Sequence, residues 1–131
     1  PGFKGNYSEE SPLLPINSYA WSKLGGESSV HMYKNSLILR ASITQKPFVH
    51  EAAFVDFKTN FIFHEDLISN IIKIINIKGV INIGGISQSV YNFAKKHNPK
   101  IKKIYASKIF GNKARINLTM NIKKFINLIN D

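Results

Sequence analysis

The chain has 131 residues, of which 44% are hydrophobic and 20% charged, a composition that suits one ordinary globular domain with a hydrophobic core. Its most apolar stretch, residues 67–83, is interrupted by Lys73, Asn76 and Lys78, so no segment of this sequence is expected to span a membrane. The absence of cysteine excludes disulfides, thiolate zinc sites and cysteine nucleophiles, and it suits a cytoplasmic protein. The four histidines form no close ligand pair, and we expect no metal.

The net charge of +10 invites an interpretation as a nucleic-acid-binding protein. Only Arg40 and Arg115 among the 18 Lys and Arg residues are arginine, however, and arginine makes the bidentate contacts that read bases. The abundance of lysine, asparagine and isoleucine indicates AT-rich codon usage. The densest lysine patch, residues 95–103, is typical of a solvated helix end and the loop after it. Nucleic acid is therefore not expected as a partner.

The first third of the chain predicts a loop, a helix and a strand. Residues 1–16 are rich in glycine and proline and predict a loop. A helical pattern over residues 17–34 follows, with Asn17 or Ser18 as its N-cap. The candidates for its buried face are Ala20, Leu24, Val30 and Tyr33. Residues 37–43 form a short apolar run that is typical of a strand in a parallel sheet.

The rest of the chain alternates between helical and extended patterns. Residues 48–63 predict a loop followed by an extended stretch, because an alternating pattern at Phe57, Thr59, Phe61 and Phe63 is mixed with polar breaks. The remaining predicted elements are a helix over residues 65–77, a strand over 80–83, a helix over 87–97 capped by Ser87, and a final helix over 121–130. This order predicts an α/β layer fold in which the strands over 37–43 and 80–83 are parallel neighbours.

One pair of residues in the first predicted helix carries candidate chemistry. Tyr19 and Lys23 are spaced i, i+4 and therefore lie on the same helical face. A lysine ammonium beside a tyrosine favours the phenolate, which suits a general acid or base near neutral pH. The same spacing also arises by chance in helices that have no catalytic role.

The surrounding string, Pro15 to Glu27 (P-I-N-S-Y-A-W-S-K-L-G-G-E), resembles the active-site helix of extended short-chain dehydrogenases/reductases, particularly members that act on sugar nucleotides. Further stretches are similar to other parts of this family. They are Lys4 to Tyr7 with Glu9 and Pro12, Leu37 to Arg40, His64 to Leu67, Gly79 to Gly85 (G-V-I-N-I-G-G), Ser89 to Ala94, and Asn117 to Asn121 with Lys124. The resemblance thus covers nearly the whole chain.

Two departures from the family pattern define what the resemblance implies about the fold. No G-x-x-G-x-x-G turn for the cofactor pyrophosphate occurs, and the family's catalytic Ser or Thr would lie just before Pro1. The link between Ile43 and Thr59 is also shorter than in the family.

The expected fold is the C-terminal portion of a Rossmann-like, doubly wound parallel sheet with a reduced substrate-binding lobe. We expect residues 1–131 to form one partial domain, with 1–43 carrying the active-site loop, helix and strand and 44–131 the substrate side. The glycine pair Gly25-Gly26 inside the helix is expected to allow close packing.

The resemblance implies NAD- or NADP-dependent reduction of a 4-keto-6-deoxy sugar nucleotide, with NADH or NADPH as the hydride donor. Tyr19 would be the proton donor, and Lys23 would bind the nicotinamide ribose. The cofactor-binding residues would be Tyr19, Lys23 and Arg40, and the substrate-binding residues Arg40, His64 and Arg115. Arg40 could instead form a salt bridge between helix and sheet, and His64 could have a surface or capping role.

Two alternative functions remain open at this point. A sugar-nucleotide epimerase or dehydratase of the same family would use Tyr19 as a base, and a non-catalytic basic module would bind anions through its lysines. The expected partners are a nucleotide-sugar substrate and either a second copy of the chain or a separate N-terminal half. Without the earlier strands, the sheet should have an unpaired edge and a bare apolar face. Tyr19 and Lys23 should point toward the strand ends near Arg40 and Ser42, with Tyr19 partly exposed.

Overall fold

The computed structural model describes residues 2–130 and shows a mixed α/β architecture. Its helices are α1 (Ser18–His31), α2 (His64–Ile74), α3 (Val90–Lys95), α4 (Ala106–Phe110) and α5 (Lys123–Asn130). Its strands are β1 (Leu37–Ala41), β2 (Ile43–Thr44), β3 (Ala52–Phe54), β4 (Lys58–Thr59), β5 (Ile62–Phe63), β6 (Gly79–Ile83), β7 (Gln88–Ser89) and β8 (Lys102–Ile104). A short 3-10 turn, Gly111–Lys113, follows α4.

The centre of the fold is the parallel pair of β1 and β6. Their register runs from Leu37 opposite Gly79 to Ala41 opposite Ile83, which confirms the predicted neighbouring parallel strands. One face of this pair packs on α2 and α5. The buried core there comprises Leu67, Ile74, Ile81, Ile83 and Phe125. Because side chains alternate along a strand, Arg40 and Asn82 lie on the opposite face, toward the candidate site.

A second core lies around α3 and the short strands. β2 pairs with β5 and β3 with β8, both in parallel, while β4 pairs with β7 in antiparallel fashion. The buried residues of this core are Phe48, Ala53, Phe63, Val90, Phe93, Ala94 and Ile101. The extended stretch predicted within residues 48–63 is thus three short strands. β8 was not predicted, because a three-residue strand with the sequence K-K-I has no hydrophobic alternation to detect.

Helix α4 was also not predicted, and a side chain distant in sequence explains its start. The carboxylate of Asp56 accepts hydrogen bonds from the backbone N–H groups of Ala106, at 2.7 Å, and Ser107, at 3.0 Å. It also accepts one from the Ser107 hydroxyl. Partial desolvation opposes the charge, but these hydrogen bonds outweigh it and hold the pKa of Asp56 below its ordinary value. A cap supplied from 50 residues away leaves no local sequence signal.

Helix α1 starts where the sequence predicts but buries less than expected. The Asn17 side chain accepts a hydrogen bond from the backbone N–H of Ala20 at 2.8 Å, which confirms the N-cap. Ala20 and Leu24 are half-buried. The assignment of Val30 and Tyr33 to a buried face is wrong, because Tyr33 is 69% exposed and Val30 is exposed as well. In the part of the chain that the structure describes, nothing covers this end of the helix.

The predicted start of the third helix is also wrong. Ser89, and not Ser87, caps α3, since its hydroxyl accepts a hydrogen bond from the backbone N–H of Asn92 at 3.1 Å. Pairing of β7 with β4 keeps the chain extended up to Ser89. A tertiary contact therefore shortens the predicted helix over 87–97 to Val90–Lys95.

The two glycine pairs have different environments. A Cβ atom on Gly84 would lie 2.6 Å from the carbonyl oxygen of Asn60, and one on Gly85 would lie 2.4 Å from that of Phe61. This close backbone approach requires glycine after β6. No atom lies within 4 Å of a Cβ placed on Gly25 or Gly26 in the described residues. The expectation that this pair allows close packing is therefore wrong for residues 2–130.

Candidate functional site

A cleft of about 910 Å³ separates α1 from β1 and is closed on one side by the loop that precedes α1. Tyr19, Lys23 and Glu27 line it from α1, since residues spaced by four share one helical face. Ile38 and Arg40 line it from β1. The cleft therefore lies on the face of the sheet opposite the core formed with α2 and α5.

Tyr19 and Lys23 lie together at this cleft. The Lys23 ammonium nitrogen is 5.4 Å from the centroid of the Tyr19 ring, and Tyr19 is 70% exposed. The shared face and the exposure agree with the orientation expected from the sequence. Arg40 lines the same cleft, whereas Ser42 does not, because its hydroxyl hydrogen-bonds to that of Thr59 at 3.1 Å. The arrangement places a phenol and an ammonium where a ligand can reach both.

Arg40 and Glu27 form an ion pair that joins β1 to α1. The guanidinium donates to both Glu27 carboxylate oxygens, at 2.6 and 3.1 Å, and to the Glu9 carbonyl at 2.8 Å. The hydrogen bond from Arg40 lowers the pKa of Glu27 and outweighs the desolvation that would raise it. Of the two alternatives for Arg40, the structure shows the salt bridge between helix and sheet. Its role in binding cofactor or substrate stays a prediction.

The loop before α1 is held against the far edge of β6. The Glu9 carboxylate accepts a hydrogen bond from the backbone N–H of Asn82 at 3.0 Å. The Asn82 side chain, which is 2% exposed, donates to the backbone carbonyls of Tyr7, at 3.0 Å, and Asn121, at 3.3 Å. These contacts cap the strand edge with loop atoms and fix the wall of the cleft opposite α1.

The hydroxyl oxygen of Tyr7 organises the start of the described chain. It accepts hydrogen bonds from the backbone N–H groups of Gly2, at 2.7 Å, Phe3, at 3.2 Å, and Lys4, at 3.3 Å. Partial desolvation opposes ionisation, but the backbone donors outweigh it and lower the pKa of Tyr7 below its ordinary value. Tyr7 also lines the cleft.

Tyr7, Glu9, Glu27 and Asn82 lie in stretches that resemble the family, but no role at this site was predicted for any of them. Glu27 could have been found, since it continues the i, i+4 spacing of Tyr19 and Lys23 by one further step. Asn82 gives no such signal, because its role depends on hydrogen bonds to segments 75 and 39 residues away.

The structure does not bring His64 and Arg115 to the cleft. His64 is the exposed first residue of α2, and it is not among the residues that line the cleft. The Arg115 guanidinium carbon lies 5.8 Å from the centroid of the Phe3 ring, also outside the cleft lining. Their assignment to substrate binding stays a prediction.

A nicotinamide dinucleotide, the cofactor that the resemblance implies, needs groups for its nicotinamide ribose and for its pyrophosphate. Tyr19 and Lys23 offer a hydroxyl and an ammonium for the nicotinamide ribose. The glycine pair after β6 is used in backbone packing against Asn60 and Phe61 and does not open a helix. Residues 2–130 therefore supply no glycine-rich turn for the pyrophosphate.

Residues 2–130 contain neither a metal-binding cluster nor a membrane-spanning helix. They contain no group of three or more His, Asp or Glu side chains arranged to hold a metal ion. None of the described helices has both the length and the apolar character needed to cross a bilayer.

Comparison with known proteins identifies structural neighbours. No protein-family model matches the sequence. No curated protein sequence matches it. Among solved structures, the chain is similar to a hypothetical dTDP-4-dehydrorhamnose reductase from Sulfolobus tokodaii, with a TM-score of 0.78 and 24% identity over 96% of this chain and 53% of that one.

Two further solved structures match with TM-scores of 0.69. One is the UDP-glucuronic acid 4-epimerase from Bacillus cereus in complex with NAD, which is 22% identical over 97% of this chain and 49% of that one. The other is the dTDP-4-dehydrorhamnose reductase from Bacillus anthracis in complex with NADP, which is 21% identical over 89% of this chain and 52% of that one. The chain spans about half the length of these proteins. The expected Rossmann-like α/β fold is thereby confirmed, and the neighbours are the extended short-chain dehydrogenases/reductases that the sequence resembles.

Proposed function

We propose that this chain carries the proton-transfer site of a cytoplasmic, NAD(P)-dependent oxidoreductase that reduces a 4-keto-6-deoxy sugar nucleotide, as a dTDP-4-dehydrorhamnose reductase does. The observation that carries the proposal is the placement of Lys23 over Tyr19 at the open cleft, 5.4 Å from the ring centroid. The fold shared with two such reductases supports it.

The proposed reaction is a carbonyl reduction. Tyr19 donates its hydroxyl proton to the C4 oxygen of the sugar, and Lys23 orients the nicotinamide ribose and stabilises the tyrosinate that remains. The nicotinamide cofactor, when bound, supplies the hydride to C4 and leaves as NAD(P)⁺. The product is a C4 alcohol. Arg40 and Glu27 position this chemistry by holding α1 on β1.

The pyrophosphate of the cofactor requires residues beyond those described. The proposal therefore includes a cofactor-binding half that pairs with the edge of β1 that is free among the described strands. This half belongs either to the same polypeptide or to a separate one. A second copy of this chain is the alternative partner for that edge. The open space beside Gly25 and Gly26 agrees with this proposal, because the added half could pack against α1 there. Arg40, His64 and Arg115 stay candidate contacts to the substrate.

A second candidate function is epimerisation, the interconversion of two sugar nucleotides that differ in configuration at C4. The similarity to a UDP-glucuronic acid 4-epimerase favours this alternative. Tyr19 would then act as a base in the oxidative half of the cycle and as an acid in the reductive half. The two functions differ in redox balance, because a reductase consumes one NAD(P)H per product and an epimerase consumes none in net terms.

The test is reduction of dTDP-4-dehydrorhamnose by the assembled enzyme, meaning this chain together with its cofactor-binding half. We expect stoichiometric loss of NADPH absorbance. The Tyr19→Phe variant should lower kcat on the order of 10²-fold or more and reduce cofactor affinity much less, because the proton donor is removed while Lys23 still holds the nicotinamide ribose.

Tyr33→Phe is the matched control, since it makes the same chemical change at an exposed tyrosine just beyond the same helix. It should have no effect on turnover. Unchanged reduction by Tyr19→Phe would disprove the assignment. In a second assay with UDP-glucuronic acid, which carries a hydroxyl at C4, inversion at C4 without net consumption of reduced cofactor would replace the reductase by the epimerase.

A further inference from the structure

The charge of this chain is divided sharply along the sequence. Residues 67–130 contain 12 Lys and Arg residues and no Asp or Glu, while residues 1–66 contain six Lys and Arg residues and seven Asp and Glu. Codon usage that favours lysine over arginine does not by itself remove carboxylates. The positive charge therefore belongs to the second half of the sequence, in which Asp131 is the one acidic residue.

The fold concentrates part of this charge around Tyr91. Lys95 at the end of α3 and Lys103 in β8 both lie over its ring, with ammonium nitrogens 5.8 and 5.3 Å from the ring centroid. We call the following five exposed residues the lysine cluster: Lys95, Lys96, Lys100, Lys102 and Lys103. The sequence indicated a solvated helix end, whereas the structure brings residues from a helix and a strand to one ring.

The lysine cluster has no carboxylate partner. Among residues 2–130, no lysine lies within 4.0 Å of a carboxylate oxygen, and the ion pairs present there are Glu27 with Arg40 and with His31. Glu51 adjoins the cluster through its backbone carbonyl, which accepts from the N–H of Lys102 at 2.9 Å without forming an ion pair. The cluster thus keeps its positive charge.

The candidate active site does not account for this surface. No member of the lysine cluster, nor Tyr91, lines the cleft that contains Tyr19. An anion held at the cluster would be a separate ligand.

We propose that the lysine cluster binds the phosphate backbone of nucleic acid without reading base sequence. This revises the expectation that nucleic acid is not a partner, which rested on the scarcity of arginine: ammonium groups do not match base edges bidentately, but they act as point charges toward phosphate. Tyr91 is flanked by Lys95 and Lys103 and is half-buried, so the surface offers charge and not an open stacking platform.

An anionic membrane is the competing partner, and the packing argues against it. Stable attachment of a basic surface to a membrane needs apolar side chains that insert. Within residues 91–104, Phe93 and Ile101 are 7% and 5% exposed, and Tyr91 and Ile104 are half-buried. The apolar side chains of the cluster itself are therefore not free to insert, and the exposed Ile109 and Phe110 of the following helix, at 59% and 63%, make vesicle binding an outcome that the experiment has to test.

The experiment measures binding of a labelled, mixed-sequence duplex DNA of about 20 base pairs by fluorescence anisotropy, between about 50 and 200 mM salt. Lys102 and Lys103 are consecutive in β8 and point to opposite faces of the strand, so we expect four phosphate contacts to one duplex and a fall of log K with log salt at a slope of about −3 to −4. Lys95→Gln/Lys103→Gln should weaken binding at least about tenfold at low salt and reduce the slope by about 2. Lys96→Gln/Lys100→Gln should give a similar change.

The matched control is Lys4→Gln/Lys34→Gln, which removes the same charge at two exposed lysines outside the cluster. It should leave the slope within about half a unit of the parent value. Equal losses for the cluster and control variants would overturn the proposal, because net charge alone would then explain binding. So would a dependence on DNA sequence, stronger binding to phosphatidylserine vesicles than to DNA, or no binding at about 50 mM salt.

Discussion

The ion pair of Glu27 and Arg40 shows how single residues place the candidate catalytic groups. In the described chain α1 has no fully buried side chain, so apolar packing contributes little to its position. The pair is largely enclosed, with side-chain exposures of 13% and 17%, and Arg40 also reaches the loop at Glu9. One guanidinium therefore ties strand, helix and loop around the cleft.

Replacing Glu27 by Gln should lower the free energy of unfolding by about 1–3 kcal/mol near neutral pH, because it leaves a partly buried guanidinium without its charged acceptor. The folded-state pKa of Glu27 is below its ordinary value of 4.5. The contribution is thus complete above that value and is lost as pH falls through the lowered folded-state pKa.

Urea unfolding from neutral to acidic pH checks this prediction. The stability curves of the parent and Glu27→Gln should converge on acidification. Glu10→Gln, a change at an exposed carboxylate, is the control and should follow the parent throughout. A constant difference between Glu27→Gln and the parent at every pH would contradict the linkage.

At the scale of elements, close backbone approach decides where β6 can end. The turn after this strand meets the Asn60 segment, and the Asn60 side chain holds both sides through hydrogen bonds with the Gly85 carbonyl, at 2.9 Å, and the Met120 N–H, at 2.6 Å. Three segments therefore meet at one buried amide, and glycine is what lets them approach.

Gly84→Ala should destabilise the protein by about 1–3 kcal/mol, since its Cβ would lie 2.6 Å from Asn60 atoms of both backbone and side chain. Gly25→Ala makes the same change in α1 where nothing lies within 4 Å. It should stabilise the isolated chain by about 0.5–1 kcal/mol through helix propensity. Thermal unfolding of both variants measures the contrast, and a destabilised Gly25→Ala variant would show that an association partner packs there.

At the scale of the whole molecule, the main feature is an exposed apolar surface on one side of α1 and just beyond its C-terminal end. Trp21, Met32 and Tyr33 are 62%, 78% and 69% exposed, and β1 pairs with β6 on one edge only among the described strands. Larger exposed apolar surfaces of this kind usually mark an interface. The half-length match to the solved neighbours agrees with this interpretation.

We therefore expect the chain to associate at micromolar concentrations or to show low stability, as measured by sedimentation and thermal unfolding. Trp21 is the only tryptophan, so its emission should be solvent-like in dilute protein and shift to the blue on association. Trp21→Ser should weaken association about tenfold or more. Ile72→Ser, at a 72% exposed position on α2, should not. A stable monomer with equal behaviour of both variants would contradict the prediction.

The sequence by itself determined the elements whose signals are local. Apolar periodicity located α2 and α5, the N-cap at Asn17 located the start of α1, the apolar runs located β1 and β6, and the i, i+4 spacing put Tyr19 and Lys23 on one face. The alternation of these elements was enough to predict the parallel pair, because parallel strands need a long connection between them.

Only the tertiary structure decided the features that depend on distant partners. The short strands β3 and β8 exist through pairing with each other, α4 begins where Asp56 caps it, and α3 starts late because β7 pairs with β4. The partner of Arg40 and the meeting of Lys95 with Lys103 likewise required the fold. A contact between residues far apart in sequence cannot be predicted from a periodic pattern, because the residues around each side chain do not indicate which distant residue it will contact.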